Sequence, residues 1–224
     1  MGVLTTEETA RVEQTIDEVE RYTAAEIVVT TIGQSEPYTD VRLWTVLGMS
    51  ALSAALAHFV RPEWSATYVL ALQFAAAIVS WFVSGVPAVL RSLTPQHRSQ
   101  GAVERAAEMA FLEHSVFDTR GRTGVLILLS ELEHKVVILG DEGIHARVQT
   151  AGWNQYAQHL GTRIREGQSG NGLCEVIKQL GETLATTVPA ERENPNELDN
   201  RVRTQDLPSR KTIRSKPGGE KPST

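Results

Sequence analysis

Residues 43–90 read LWTVLGMSALSAALAHFVRPEWSATYVLALQFAAAIVSWFVSGVPAVL, two uncharged apolar runs on either side of a short polar turn. The first run, 43–60, is about as long as the minimum that crosses a hydrocarbon core of roughly 30 Å, and the second, 67–90, is longer and allows some tilt. The second run ends near Pro87, where a kink is tolerated. Between them stands Arg61-Pro62-Glu63-Trp64-Ser65-Ala66, whose Trp64 suits a membrane–water interface. The competing reading is a buried helical pair in a soluble core, which Gln73 and His58 would accept. Two adjacent uncharged runs of this length favour a transmembrane helical hairpin over residues 41–90.

Outward from the hairpin the sequence changes character. Residues 1–22 are charged and helical in pattern, with no basic leader or apolar core of a cleavable signal. Arg42 precedes the first span, and Arg91, His97, Arg98 and Arg105 follow the second, whereas the turn offers only Arg61. Basic residues near span ends favour the cytoplasmic side. The expectation is a multi-pass protein of the inner (plasma) membrane, with both termini and the non-membrane residues cytoplasmic. Two spans return the chain to the same face, so residues 1–40 and 91–188 are expected to form one domain in two pieces.

In the first piece, Thr5 and Glu8 fit a capping box, and Val12, Ile16 and Val19 then share a helix face, which predicts a helix over 6–22. The β-branched run 25–32 predicts a buried strand ending at Gly33. In the second piece, Val103, Ala106, Ala107, Ala110 and Phe111 predict a helix over 97–114. Two apolar runs, 125–129 and 136–139, flank a polar turn that contains Leu132 and predict a β-hairpin. Helical faces then recur through Trp153, Tyr156, Leu160 and Ile164, and again from Leu173 to Leu184, separated by the glycine-rich stretch 167–172. This mixed order predicts an α/β domain: helices packed on a small sheet.

The formal net charge of −5 lacks the basic excess that would announce nucleic-acid binding. The single cysteine, Cys174, excludes an intramolecular disulfide and opens an apolar helical run, as a small core residue does. From about residue 189 onward, proline, asparagine, serine and mixed charges predict a disordered tail over 189–224. Its Arg210, Lys211, Arg214, Lys216 and Lys221 could touch anionic lipid, but a solvated linker is the favoured reading and the tail is assigned no function.

The stretch TGVLILLSELEHKVVILGDEGI (residues 123–144), with Arg122, Trp153 and the pair Gly172-Leu173, resembles the TPM domain family, which includes bacterial membrane proteins. The resemblance implies a compact α/β sandwich, here interrupted by the membrane hairpin. In that family phosphatase activity and calcium binding are attributed to some members, and others act in the assembly or repair of membrane complexes.

The residues themselves supply little catalytic signal. Cys174 lacks the loop and arginine of a cysteine phosphatase, and there is no Asp-x-Asp motif, nucleophile elbow or phosphate-binding Gly-Lys-Ser/Thr loop. Calcium or another divalent cation would need several oxygen ligands, for which Asp118, Asp141 and Glu142 at strand ends are the candidates. Asp141 has a competing role as the cap of a short helix near Gly143. His134 and His145 flank the same region without a compact zinc spacing. Arg120 and Arg122 could contact a phosphate, a carboxylate or lipid headgroups. Two functions follow as expectations. The first is a binding or assembly module that meets membrane lipid and a membrane-associated protein; the second is a divalent-cation-dependent phosphatase built on Asp118, Asp141 and Glu142.

Overall fold

A computed structural model describes residues 4–147, 152–190 and 197–205. Helix α1 (Thr6–Glu20) opens with the expected capping box, Thr5 and Glu8 each bonding the other's backbone amide. Strand β1 (Glu26–Ile32) follows and is buried along its whole length. The chain then leaves the sheet through α2 (Thr39–Val60) and α3 (Ala66–Ser84), returns along the short α4 (Pro87–Leu93), and continues into α5 (Gln96–Glu113). Strands β2 (Gly124–Ser130) and β3 (Lys135–Gly140) form the expected hairpin. The one-turn α6 (Glu142–His145) and the long α7 (Trp153–Arg165) and α8 (Ser169–Thr187) come next. The last described element is β4 (Arg203–Gln205).

The sheet order is β3-β2-β1-β4, with β1 parallel to both β2 and β4 and β3 antiparallel to β2. Alternation along the strands divides the apolar residues between two faces. Ile27, Val29, Val125, Ile127 and Leu129 join one cluster with α1, α7 and α8, while Val28, Leu126, Leu128 and Val137 join another with α5. The domain is therefore helix, sheet, helix in three layers, and the pieces on either side of the hairpin share both clusters.

Three sequence expectations are corrected. The second apolar run is not one helix to residue 90. It ends at Ser84, with Gly85 as its cap, and Pro87 starts α4 as a new helix. Leu90 packs into the domain beside Tyr38 and Leu132 rather than extending the span. The glycines of 167–172 do not all break a helix. Gly170 and Gly172 lie inside α8, where a Cβ would come within 2.6 Å of Glu8 and 2.5 Å of Arg163. They permit close approach of α1 and α7 to α8.

The third correction concerns the segment expected to be disordered. Residues 197–205 lie along the domain because β1 has a free edge for β4 and because acids on the domain accept tail amides. Glu26 takes the amide of Leu198 at 3.2 Å and Glu13 that of Val202 at 3.0 Å, and the Thr31 and Thr204 hydroxyls meet at 3.2 Å. Composition registers too few apolar groups and misses this backbone pairing. The basic positions 210–221 lie outside the described residues.

Candidate functional site

The hairpin springs from the carboxyl ends of β1 and β2, the end at which open α/β sheets form crevices. Two loops meet there: residues 33–38, which lead into α2, and residues 131–134, which turn β2 into β3. Glu133 in the second loop is buried and binds them together. Its Oε1 accepts the Ser35 amide at 3.0 Å, the Tyr38 hydroxyl at 2.7 Å and the Ser35 hydroxyl, and its Oε2 accepts the Ser130 hydroxyl. Tyr38, at the N-cap of α2, is left-handed at φ 45°, a conformation that costs a non-glycine residue about 1 kcal/mol. The hydroxyl bond to Glu133 and the packing of its ring with Leu90 and Leu132 hold it there. Burial and the Glu133 carboxylate push the Tyr38 hydroxyl pKa well above its ordinary value, so it remains a donor.

Around this hub runs a collar of arginines. Arg98 of α5 forms a fork with Asp40 at 2.5 and 2.9 Å, reaches Glu36 at 2.6 Å, and lies 5.5 Å from the Tyr38 ring. Arg91 of α4 bonds the Leu132 carbonyl at 3.3 Å and the His134 Nε2 at 2.5 Å. Burial and the neighbouring Arg91 and Arg165 charges lower the His134 pKa, which keeps that nitrogen an acceptor. Arg42 of α2 bonds the Trp81 carbonyl of α3 at 3.1 Å and lies 4.1 Å from its ring. A groove of about 620 Å³ opens between α4 and the domain, lined by Gln34, Pro87, Arg91, Glu131 and His134 among others. It offers donors and an acceptor to a polar group at the base of the hairpin.

The residues singled out from sequence stand at the other end. Asp118, Arg120 and Arg122 precede β2, and Asp141 and Glu142 follow the antiparallel β3, which places all five at the amino ends of the parallel strands. Arg120 pairs with Glu197 at 3.2 Å, and Arg122 pairs with Asp141 at 2.9 Å and lies 5.9 Å from the Phe117 ring. Asp141 caps α6 through the Glu142 amide at 2.8 Å, the role weighed against metal binding. Asp118 and Glu142 are exposed. Among the described residues no three acidic, histidine or cysteine side chains come together to hold a metal ion, so this set does not fit a calcium site. His134 and His145 fall at opposite ends of β3, with His145 stacked 6.1 Å from Trp153.

Sequence reading passed over Glu133 because an acid in a polar turn reads as solvated. The available signal was Leu132, an apolar residue inside that turn and now buried beside Tyr38.

No protein-family model matches the chain, and no curated protein matches it. Among solved structures it is similar to the NMR structure of BA42 protein from the psychrophilic bacterium Bizionia argentinensis. That likeness has a TM-score of 0.57 and 19% identity, and covers 90% of this chain and 95% of that chain. At this identity it shows the fold alone.

Proposed function

We propose that the chain is a multi-pass inner-membrane protein whose TPM-like α/β domain lies on the cytoplasmic side and serves as a binding or assembly module for membrane-associated partners. The observation that carries this reading is the arrangement of side chains in the hairpin. Trp44, Phe59, Phe74 and Phe82 point away from the molecule at 71–82% exposure. Apart from Val46 and Val69, the covered positions along the α2–α3 pair are small or polar, among them Thr45, Ser50, Ser53 and Ala57 on α2, and Gln73, Ala76, Ser80 and Ser84 on α3. Only 6% of the apolar window in each helix is buried, the opposite of a soluble core helix. Large apolar groups outside and small polar groups between helices suit hydrocarbon as the solvent.

The dimensions agree. At 1.5 Å per residue, the 19 residues of α3 measure about 28 Å, close to the hydrocarbon thickness. Trp64 and Tyr68 stand at the far turn and Trp44 and Trp81 near the base, where interfacial aromatics belong. The arginine collar supports the cytoplasmic orientation: Arg42, Arg91 and Arg98 stand at the base, whereas Arg61 alone occupies the far turn, paired with Glu63 at 3.5 Å. The TPM resemblance belongs to the same reading, its stretch 123–144 being the β2–turn–β3–α6 unit. The phosphatase alternative has no corresponding support, since its three acids form no ligand set.

The test is membrane extraction followed by topology mapping. Alkaline carbonate should leave the protein in the pellet, and release into the supernatant would overturn the membrane assignment. Protease added to sealed, right-side-out spheroplasts should spare both domain pieces. Cleavage of both without lysis would reverse the orientation.

A further inference from the structure

The sheet is bordered at one edge by β4 and at the other by β3, and among the described residues no further strand pairs with the outer edge of β3, where Val136 and Gly140 are buried and Ile138 is half-buried. The Asp141 amide donates to the Gly124 carbonyl at 2.8 Å, which sets the phase of the β2–β3 ladder. By antiparallel alternation, Lys135, Val137 and Leu139 exchange bonds with β2, and the N–H and C=O groups of Val136, Ile138 and Gly140 face outward. Among the described residues no hydrogen bond ends on those outward groups. Natural edges are blunted by charge, proline, a bulge or a covering element. Here Lys135 is the only charge on the strand, and Val136–Gly140 carries none.

A trough follows this edge between α5 and α7. One section of about 520 Å³ and another of about 290 Å³ share Gln100, Val136, Asn154 and Ala157 and so run together. The two walls differ. On α5, Gln100, Glu104 and Glu108 recur once per turn and are exposed, and among the described residues neither glutamate pairs with an arginine or lysine at ion-pair distance. On α7, Ala157 and Gly161 leave space, and the cations that line the trough, Lys135 of β3 and Arg165 of α7, stand away from Glu104 and Glu108, in the section that also holds His134.

We infer that the open β3 edge is a docking surface for an extended basic peptide, which adds as a further strand and sets lysine or arginine side chains against Glu104 and Glu108. This rests on the reading of the domain as a binding module and names the chemistry of its protein partner. The spacing fits. Carboxylates one helical turn apart are separated by about 5–6 Å, and alternate side chains of a strand by about 6.8 Å, so basic residues at positions i and i+2 meet both acids. The intervening residue points toward α7, where Ala157 and Gly161 admit a branched apolar side chain. Main-chain bonds supply the attachment and the acidic row selects the sequence, the division of labour of strand-addition recognition.

The experiment uses the full chain in nanodiscs and a labelled peptide of alternating lysine and valine, followed by fluorescence anisotropy. The wild type should bind it, and a peptide of alternating glutamate and valine should not bind. The double variant Glu104→Lys, Glu108→Lys should lose at least about tenfold in affinity for the lysine peptide and gain the glutamate peptide. Ile138→Pro removes an outward N–H without touching the β2 ladder, and should abolish binding of the lysine peptide while the domain still unfolds cooperatively. Equal binding of the two peptides by the wild type, or unchanged affinity in both variants, would overturn the inference. So would a wild-type dimer that Ile138→Pro converts to a monomer, since the edge would then belong to a second copy. Failure of the membrane reading is separate: carbonate would release a protein that still binds the lysine peptide.

Discussion

The α/β domain and the hairpin are built from the same residue types turned in opposite directions. In the domain, Ile27, Val29, Ile127 and Leu129 point into a core and charged groups line the outside. In the hairpin, Leu47, Phe59, Phe74 and Phe82 point out, and Ser50, Ser53, Gln73, Ser80 and Ser84 lie within or beside the helix–helix contact. With lipid around the hairpin, as proposed above, the rule that apolar groups leave water holds in both regions. The collar of Arg42, Arg91 and Arg98 stands where the two regions meet.

Truncating one large side chain in each region breaks the contrast most directly. Leu128 is fully buried between the sheet and α5, and Leu128→Ala should lower the domain's unfolding free energy by about 3 kcal/mol. Leu52 is half-exposed on α2, and Leu52→Ala should leave that unfolding transition where it is in detergent-solubilised protein. Chemical denaturation of the two variants side by side reads the difference. Equal losses would mean that the hairpin packs like the domain.

Much of this contrast was legible in the sequence, because it is carried by periodicity. The capping box at Thr5 and Glu8, the β1 and β2 runs and the two apolar segments all appear close to where the pattern places them. The misses share a cause. The α3–α4 break, the glycines inside α8 and the β4 pairing depend on which element packs beside which, and local composition contains no such term. The same is true of the candidate site. Asp141 read equally well as a ligand or a cap until Arg122 and the Glu142 amide were placed beside it. Glu133 could not stand out before the two loops it joins were known to meet.

Ionisable groups sharpen the comparison next, because the domain buries some of its own whereas the titratable groups of α2 stand near its ends. Burial, reinforced by the nearby Glu26 and Asp17, raises the Glu20 carboxyl from an ordinary 4.5 to about 8, against the opposing bond from the Ile27 amide. The folded state therefore holds a proton that the unfolded chain releases. Stability should fall as pH rises from about 4.5 to about 8 and then level, by up to ~1.4 kcal/mol per pH step. Glu20→Gln keeps the acceptor for Ile27 and should flatten that slope, with its largest advantage at the alkaline end. Urea titrations across pH 5 to 9 check this, and parallel slopes in the two proteins would remove Glu20 as the source.

At the boundary the expected loss is smaller. Glu133→Gln keeps the shape of the hub but replaces one acceptor oxygen with a donor, facing hydroxyls and an amide that all donate to the carboxylate. About 1–3 kcal/mol should be lost where a buried partner is left unsatisfied. The loss should concentrate in residues 33–38, so amide exchange there should quicken while β2 stays protected. Uniform loss of protection across the sheet would instead make Glu133 a support of the whole core.

The smallest effect belongs to a glycine. Gly48 lies on the outer surface of α2, and a Cβ built there meets nothing within 4 Å. Gly172, likewise helical, has the Arg163 Cβ 2.5 Å from the same position, so Gly172→Ala belongs with the larger losses. If the outer surface of α2 faces only lipid, Gly48→Ala should leave both membrane retention and the domain's unfolding unchanged, because alanine suits a helix at least as well as glycine and clashes with nothing. If another helix packs closely against that surface, the added methyl should weaken the association, and crosslinking in intact membranes should register the change while denaturation of the domain does not. The substitution thus asks whether the outward side of the hairpin is an endpoint of the molecule or a contact within a larger assembly.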